Sequence, residues 1–200
     1  MKKLFVVGGM GAGKSTASKV LLEQGLPLID LDKVGHDIHD WETVKEEIRE
    51  TFGDEVYDEN GKIIRSALAA KAFVSPAETR KLNRITMPRI EDAYHDRLAE
   101  LEAEGHEAVV VEYSVFKNRS GSLAYTADVV IAVLAPLEKR IERAVASGFD
   151  EADVRRRIAQ QITDAERIEQ ADVVFNNDGT PEELRNAVMS WWLDYKTNEL

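Results

Sequence analysis

Five short apolar runs punctuate the chain, each long enough for one buried strand. They cover residues 4–7, residues 27–29 ending in Asp30, residues 108–111 ending in Glu112, residues 129–134 stopped by Pro136, and residues 172–175 followed by Asn176, Asn177 and Gly179. Runs that are apolar throughout, rather than alternating, suit strands covered on both faces, as in a parallel sheet. Helical periodicity fills the intervals. Leu82, Ile85, Ile90, Tyr94, Leu98 and Leu101 recur every three to five residues, which predicts a largely helical stretch over 75–104, kinked or divided at Pro88 and ended by Gly105. Capping boxes open three helices, at Ser75 with Glu78, Thr163 with Glu166 and Thr180 with Glu183, and Pro76 and Pro181 stand at first helical positions. Strands alternating with helices predict an α/β fold: a five-stranded parallel sheet flanked by helices. Two stretches look inserted into that core, 33–105 and 137–171. They leave a core of 1–32, 106–136 and 172–200 within a single domain.

The junction of the first strand with the following helix, expected over 16–24, carries the chemistry. Gly8-Gly9-Met10-Gly11-Ala12-Gly13-Lys14-Ser15 fits G-x-x-x-x-G-K-[ST] at every position. Glycines let consecutive backbone N–H groups turn toward one anion, and the helix start adds its partial positive charge. Lys14 reaches the β- and γ-phosphates of a nucleotide in such a loop, and the Ser15 hydroxyl sits on Mg²⁺. The expected nucleotide site is Gly9, Gly11, Ala12, Gly13, Lys14, Ser15 and Thr16. The expected ligands are ATP and Mg²⁺, and the expected reaction is phosphoryl transfer to a small-molecule hydroxyl.

Composition narrows the partners. The formal net charge is −11, which disfavours duplex nucleic acid and anionic membranes. No apolar run reaches the length of a membrane span, and the apolar stretch after Met1-Lys2-Lys3 is too short for a signal-peptide core. The sequence has no cysteine, which excludes disulfides, thiolate metal sites and cysteine nucleophiles and fits the cytoplasm. The four histidines lack metal-ligand spacing and are expected at the surface. Oligomeric state is not legible; a monomer is plausible.

Asp30 and Asp32 follow the second strand. In extended chain, residues two apart project to one side, so both could face an acceptor, and one could take or orient its proton; solvated loop aspartates are the alternative. Glu112, ending the third strand, reads either as a Walker-B-like acid holding Mg²⁺ or as a strand-end acid paired with a basic neighbour. Arg140 and Arg143 share a helical face, and Arg155, Arg156, Arg157 and Arg167 follow. As a group they suit a lid of mobile cations that closes over the transferring phosphoryl group. Asn177 reads as an adenine contact or a simple turn, and Arg65 as an acceptor-phosphate ligand or a surface ion pair.

Taken together, these motifs resemble the dephospho-CoA kinases. The segment Gly25-Leu26-Pro27-Leu28-Ile29-Asp30-Leu31-Asp32 is similar to the family's G-x-P-V-I-D-A-D. The stretch 56–63 with Arg65 resembles its approach to the acceptor helix, Arg157-Ile158-Ala159-Gln160-Gln161 its R-I-x-x-Q lid motif, and 171–179 its A-D-x-V-I-x-N-x-G ending. The sequence departs from that pattern at Val7, His36, Met87, the 112–118 segment and Ser147. The resemblance implies a P-loop NTPase fold with a helical acceptor-binding insertion (33–105) and a lid (137–171). It implies ATP as donor and the 3′-hydroxyl of dephospho-CoA as acceptor, the last step of coenzyme A synthesis. Asp32 maps to the catalytic base, Lys14 and Arg143 to further catalytic positions, Arg143 and Arg157 to lid arginines at the nucleotide, and Asp30, His36 and Arg65 to the acceptor site. A P-loop kinase for another acceptor, such as a nucleoside monophosphate, and a nucleotide-binding regulator without turnover are the competing readings.

Overall fold

The apolar runs become five strands: β1 (Lys2–Val7), β2 (Leu28–Asp30), β3 (Ala108–Tyr113), β4 (Val129–Leu134) and β5 (Val173–Asn176). In this computed structural model, which describes residues 1–200 with the side chain of Ser122 excepted, they form one sheet in the order β2-β3-β1-β4-β5. Every neighbouring pair is parallel. All six residues of β4 and the last four of β1 are buried, as their unbroken apolar character requires. The helices are α1 (Lys14–Glu23), α2 (Leu31–Asp37), α3 (Glu42–Phe52), α4 (Arg65–Ala72), α5 (Pro76–Ala103), α6 (Leu137–Ala146), α7 (Glu151–Ala159), α8 (Asp164–Gln170) and α9 (Pro181–Glu199).

Residues 1–30 and 99–200 make one compact unit and residues 31–98 another. In the first, Leu4, Val6, Val110, Ile131 and Val133 of the sheet pack against Ala17, Val20 and Leu21 of α1 and Leu184, Val188 and Trp192 of α9. Burying each of the larger side chains removes enough apolar surface from water to contribute roughly 1.5–3 kcal/mol. Trp191, beside Trp192, stacks on Tyr195 at 5.2 Å. In the second unit, Val44, Ile48 and Phe52 of α3 meet Leu68 and Ala72 of α4 and Leu82 and Ile85 of α5. Arg49 lies over the Tyr57 ring at 4.5 Å.

The structure differs from several sequence-based expectations. The helix after the Gly-rich loop starts at Lys14, not Thr16, because Gly13 takes a left-handed conformation and turns the chain into the helix. Pro88 neither ends nor divides α5. It lies on an exposed face together with Arg84, so the Arg84 carbonyl that loses its intrahelical donor is on the water side. The boxes at Thr163 and Thr180 are complete. At Ser75 the hydroxyl accepts from the Glu78 amide at 3.2 Å. The short helices α2 and α4 carry no long periodic pattern, whereas α3 places Val44, Ile48 and Phe52 one turn apart on its buried face.

Candidate active site

The Gly-rich segment joins β1 to α1 at the carboxyl edge of the central strand, where open parallel sheets bind ligands. Its curvature depends on two glycines with left-handed backbone, Gly11 (φ 73°) and Gly13 (φ 105°). A Cβ on Gly11 would stand 2.1 Å from the Arg140 carbonyl oxygen, and one on Gly13 2.2 Å from the Asn177 amide nitrogen. Both positions therefore demand glycine twice over, for conformation and for space. Within the loop, Ala12 N–H donates to Gly9 O (3.1 Å), and Thr16 N–H and Ala17 N–H donate to Gly13 O (3.1 and 3.2 Å). No side chain caps the start of α1 and no acid sits in its first turn, which leaves that end suited to an anion. The Lys14 ammonium donates to Gly8 O at 3.0 Å, lying back across the loop. Ser15 is exposed and Ala12 buried.

The acids are arranged differently from expectation. Asp30 ends β2 and pairs in register with Glu112 of β3, so the two stand side by side on adjacent strands. Asp32 is not in extended chain; it lies in the first turn of α2, which begins immediately after β2. The idea of one extended Asp-x-Asp edge is thereby corrected. The helix turns at Leu31 because that apolar side chain is buried. His36 lies exposed in the last turn of α2, and Arg65 opens α4. His39 is half-buried rather than on the surface, and its Nδ1 has no partner among the described residues. Burial pushes its pKa below the usual histidine range, and the charges of His36 and Arg65 add to that fall. The structure thus brings His36, His39 and Arg65 within electrostatic reach of one another.

The arginines of 137–171 sit in different environments. Arg140 and Arg167 are 6% and 2% exposed, and both have an Asp164 oxygen as ionic partner. Arg143 donates through Nη2 to Asn177 O (3.0 Å) and Oδ1 (3.4 Å), while its Nη1 is buried without a partner among the described residues. A guanidinium with one buried donor unspent suits a further acceptor. Arg155 pairs with Glu138 and Glu151, Arg156 with Asp153, and Arg157 with Asp153 at 2.8 Å; all three are solvent-exposed or nearly so. Asn177 is 6% exposed. Its side-chain amide donates to Ala12 O at 2.8 Å and its backbone N–H to Leu134 O at 2.7 Å. One of its amide hydrogens thereby supports the loop. Beside it, a cavity of about 230 Å³ opens at the ends of β4 and β5, lined by Leu134, Ala135, Pro136, Asp164, Asn176 and Asp178.

The loop, the acids at the strand ends and the arginine helices are the equipment of a P-loop kinase, and comparison with known proteins specifies which kind. The family model described as Dephospho-CoA kinase matches residues 4–183. This chain belongs to the dephospho-CoA kinase family. A dephospho-CoA kinase of Corynebacterium efficiens is 40% identical over 187 residues, which is 92% of each chain. A solved structure from Thermus thermophilus superposes with a TM-score of 0.83 at 27% identity, covering 96% of this chain and 97% of that one. The dephospho-CoA kinase of Campylobacter jejuni shares the fold, with a TM-score of 0.75 at 24% identity over the full length of both chains.

Three supports of the loop are not announced by the sequence motifs. The role of Asn177 under the loop, the burial of Arg140 and the placement of Gln161 beside Met10 all depend on contacts more than 100 residues apart in sequence. For Gln161 a signal existed, since it closes the R-I-x-x-Q motif, but the motif alone does not say what the amide touches.

Proposed function

We propose that this chain transfers the γ-phosphoryl group of ATP to the 3′-hydroxyl of dephospho-CoA, giving coenzyme A and ADP. Family membership supports that acceptor, and the Gly-rich loop with Lys14 at the start of α1 is the observation that carries the donor side. In this reading the backbone of 9–16 wraps the phosphates, and Lys14 swings from Gly8 O to neutralise charge on the migrating group. Arg143 spends its unpaired Nη1 on the same charge, and Arg157, whose ionic partner is a neighbour on its own helix, adds to it on closure. Asp32 takes or orients the proton of the attacking hydroxyl. Asp30, His36 and Arg65 hold the acceptor.

The residues present fit Mg²⁺. Among the described residues no group of three or more His, Cys, Asp or Glu could hold a metal ion by itself. On a nucleotide Mg²⁺ needs only one or two protein oxygens, the rest coming from phosphate and water. Ser15, exposed at the helix start, and Glu112, next to Asp30, would hold it; when bound it supplies charge neutralisation at the β- and γ-phosphates.

The second unit supports an anionic acceptor. In a chain of net charge −11, one side of α5 carries Arg80, Lys81 and Arg84 beside Met87 and Pro88, with Lys81 paired to Glu78 at 2.8 Å. Cations beside apolar side chains suit an acceptor carrying both phosphate and apolar parts. Cytoplasmic placement follows from the need for ATP; no described helix is long and apolar enough to cross a membrane.

The test is ADP release measured over a panel of acceptors. Turnover on dephospho-CoA at least about 100-fold above that on nucleoside monophosphates and shikimate supports the proposal. Efficient turnover of another alcohol, with none on dephospho-CoA, rejects it.

A further inference from the structure

Met10 sits at the crest of the loop between two glycines, and it is held by groups from outside the motif. Its N–H donates to Gln161 Oε1 at 3.1 Å. Its carbonyl accepts from Arg140 Nε at 3.0 Å. Arg140 Nη2 donates to the same Gln161 oxygen at 3.1 Å, which closes a ring of three side-chain bonds around one residue. The Met10 side chain packs on Ile141, Ala144 and Val154, the small core between α6 and α7. Arg140 is in turn fixed by Asp164, 3.7 Å from Nη1, and Asp164 is shared with Arg167, whose Nη2 donates to Ile162 O at 3.2 Å. The fit is tight: a Cβ on Gly9 would stand 1.8 Å from Arg140 Nη2.

Peptide geometry turns this ring into a statement about the phosphate site. No peptide bond is cis, and in a trans peptide the C=O and the following N–H point in opposite directions. Holding Met10 C=O against Arg140 therefore aims Gly11 N–H away from Arg140. Asn177 does the same two residues later, since its grip on Ala12 C=O sets the direction of Gly13 N–H. Gln161 fixes the preceding peptide by its N–H.

We infer that Arg140 and Gln161 are positioning residues for the nucleotide's phosphates, acting through the backbone of Met10 and coupling the α7–α8 joint to the shape of the loop. The inference rests on the loop binding ATP, as proposed above, but not on the identity of the acceptor. Gln161 suits the task because one side-chain oxygen accepts from both donors at once.

Calorimetric titration with Mg²⁺ and a non-hydrolysable ATP analogue tests this on the intact chain. Gln161→Leu, near-isosteric but without an acceptor, is expected to bind about tenfold more weakly than wild type, the worth of one or two buried hydrogen bonds. Arg140→Lys is expected to lose a similar factor. Because both act on one backbone unit, the double variant is expected to lose about tenfold in total, not about a hundredfold. Gln161→Glu keeps an oxygen for both donors and is expected to restore affinity to within about threefold of wild type. A purely architectural role would lower the unfolding temperature and leave affinity unchanged. Unchanged affinity in Gln161→Leu, additive losses in the double variant, or Gln161→Glu no better than Gln161→Leu overturns the inference. Additivity with a much larger loss at Arg140 would make Arg140 a direct phosphate ligand instead. Should Arg140→Lys fail to fold, the two Gln161 variants decide alone. The readout is nucleotide affinity, so a chain that binds the analogue yet ignores dephospho-CoA refutes the acceptor proposal and leaves the positioning role of Arg140 and Gln161 intact.

Discussion

The Gly-rich loop and the arginine-rich segment 137–171 both handle phosphate in this account, yet they encode it in opposite ways. In the loop the backbone faces the phosphates, and glycine at 11 and 13 marks the two turns with left-handed φ values. In the arginine segment side chains of one type divide by burial. Arg140 and Arg167 are enclosed and pair with Asp164, Arg143 is tied to Asn177 with a donor to spare, and Arg155, Arg156 and Arg157 pair with acids in solvent. A charge in water is screened and worth little, whereas a desolvated one must be partnered and then holds its surroundings rigidly. The difference teaches that a cluster of like residues is read only after each one's solvent exposure is known.

Removing the loop's one charged side chain is the most severe way to break that contrast. Lys14→Ala is expected to lower kcat by roughly 100- to 1,000-fold, because a charge facing the migrating group acts mainly in the transition state; steady-state kinetics on dephospho-CoA checks it. A change outside both regions comes next. Asp32→Asn is expected to cut kcat by about 100-fold while calorimetry finds ATP affinity within about twofold of wild type. Equal activity would move proton handling to Asp30.

Within the arginine segment, paired substitutions sharpen the division. Arg143→Ala is expected to reduce kcat/KM for ATP by about 10- to 100-fold, and Arg156→Ala by less than about twofold. Similar losses at both would erase the distinction drawn from burial. A last effect falls on stability rather than turnover and belongs to the cap of α8, where Thr163 accepts from Glu166 N–H. Thr163→Ala is expected to cost about 1 kcal/mol of stability in denaturant unfolding, with nucleotide affinity shifted by less than about threefold.

Much of this molecule is legible in its sequence. The central strands β1, β3 and β4 are, because a strand buried on both faces leaves an unbroken apolar run, and 129–134 matches β4 residue for residue. The capping boxes at Thr163 and Thr180 are, because they are local. What escapes is set by distant contacts. Asp32 reads as part of a strand end because nothing local announces that α2 begins at Leu31. Asn177 reads as a turn residue or an adenine contact because its partners, Ala12 and Leu134, are remote in sequence. Asp30 and Glu112 read as separate acids, although the β2–β3 register sets them side by side. Sequence reports which groups are present; parallel pairing and burial decide which of them meet.

The most direct test of the account is the position of the new phosphate. Incubating the chain with dephospho-CoA, ATP and Mg²⁺, and resolving the product by phosphorus–proton NMR, is expected to show a phosphorus coupled to the ribose 3′ proton, formed by the wild-type chain and nearly abolished by Lys14→Ala. Phosphate at any other oxygen, or 3′ transfer undiminished in the Lys14 variant, would contradict it.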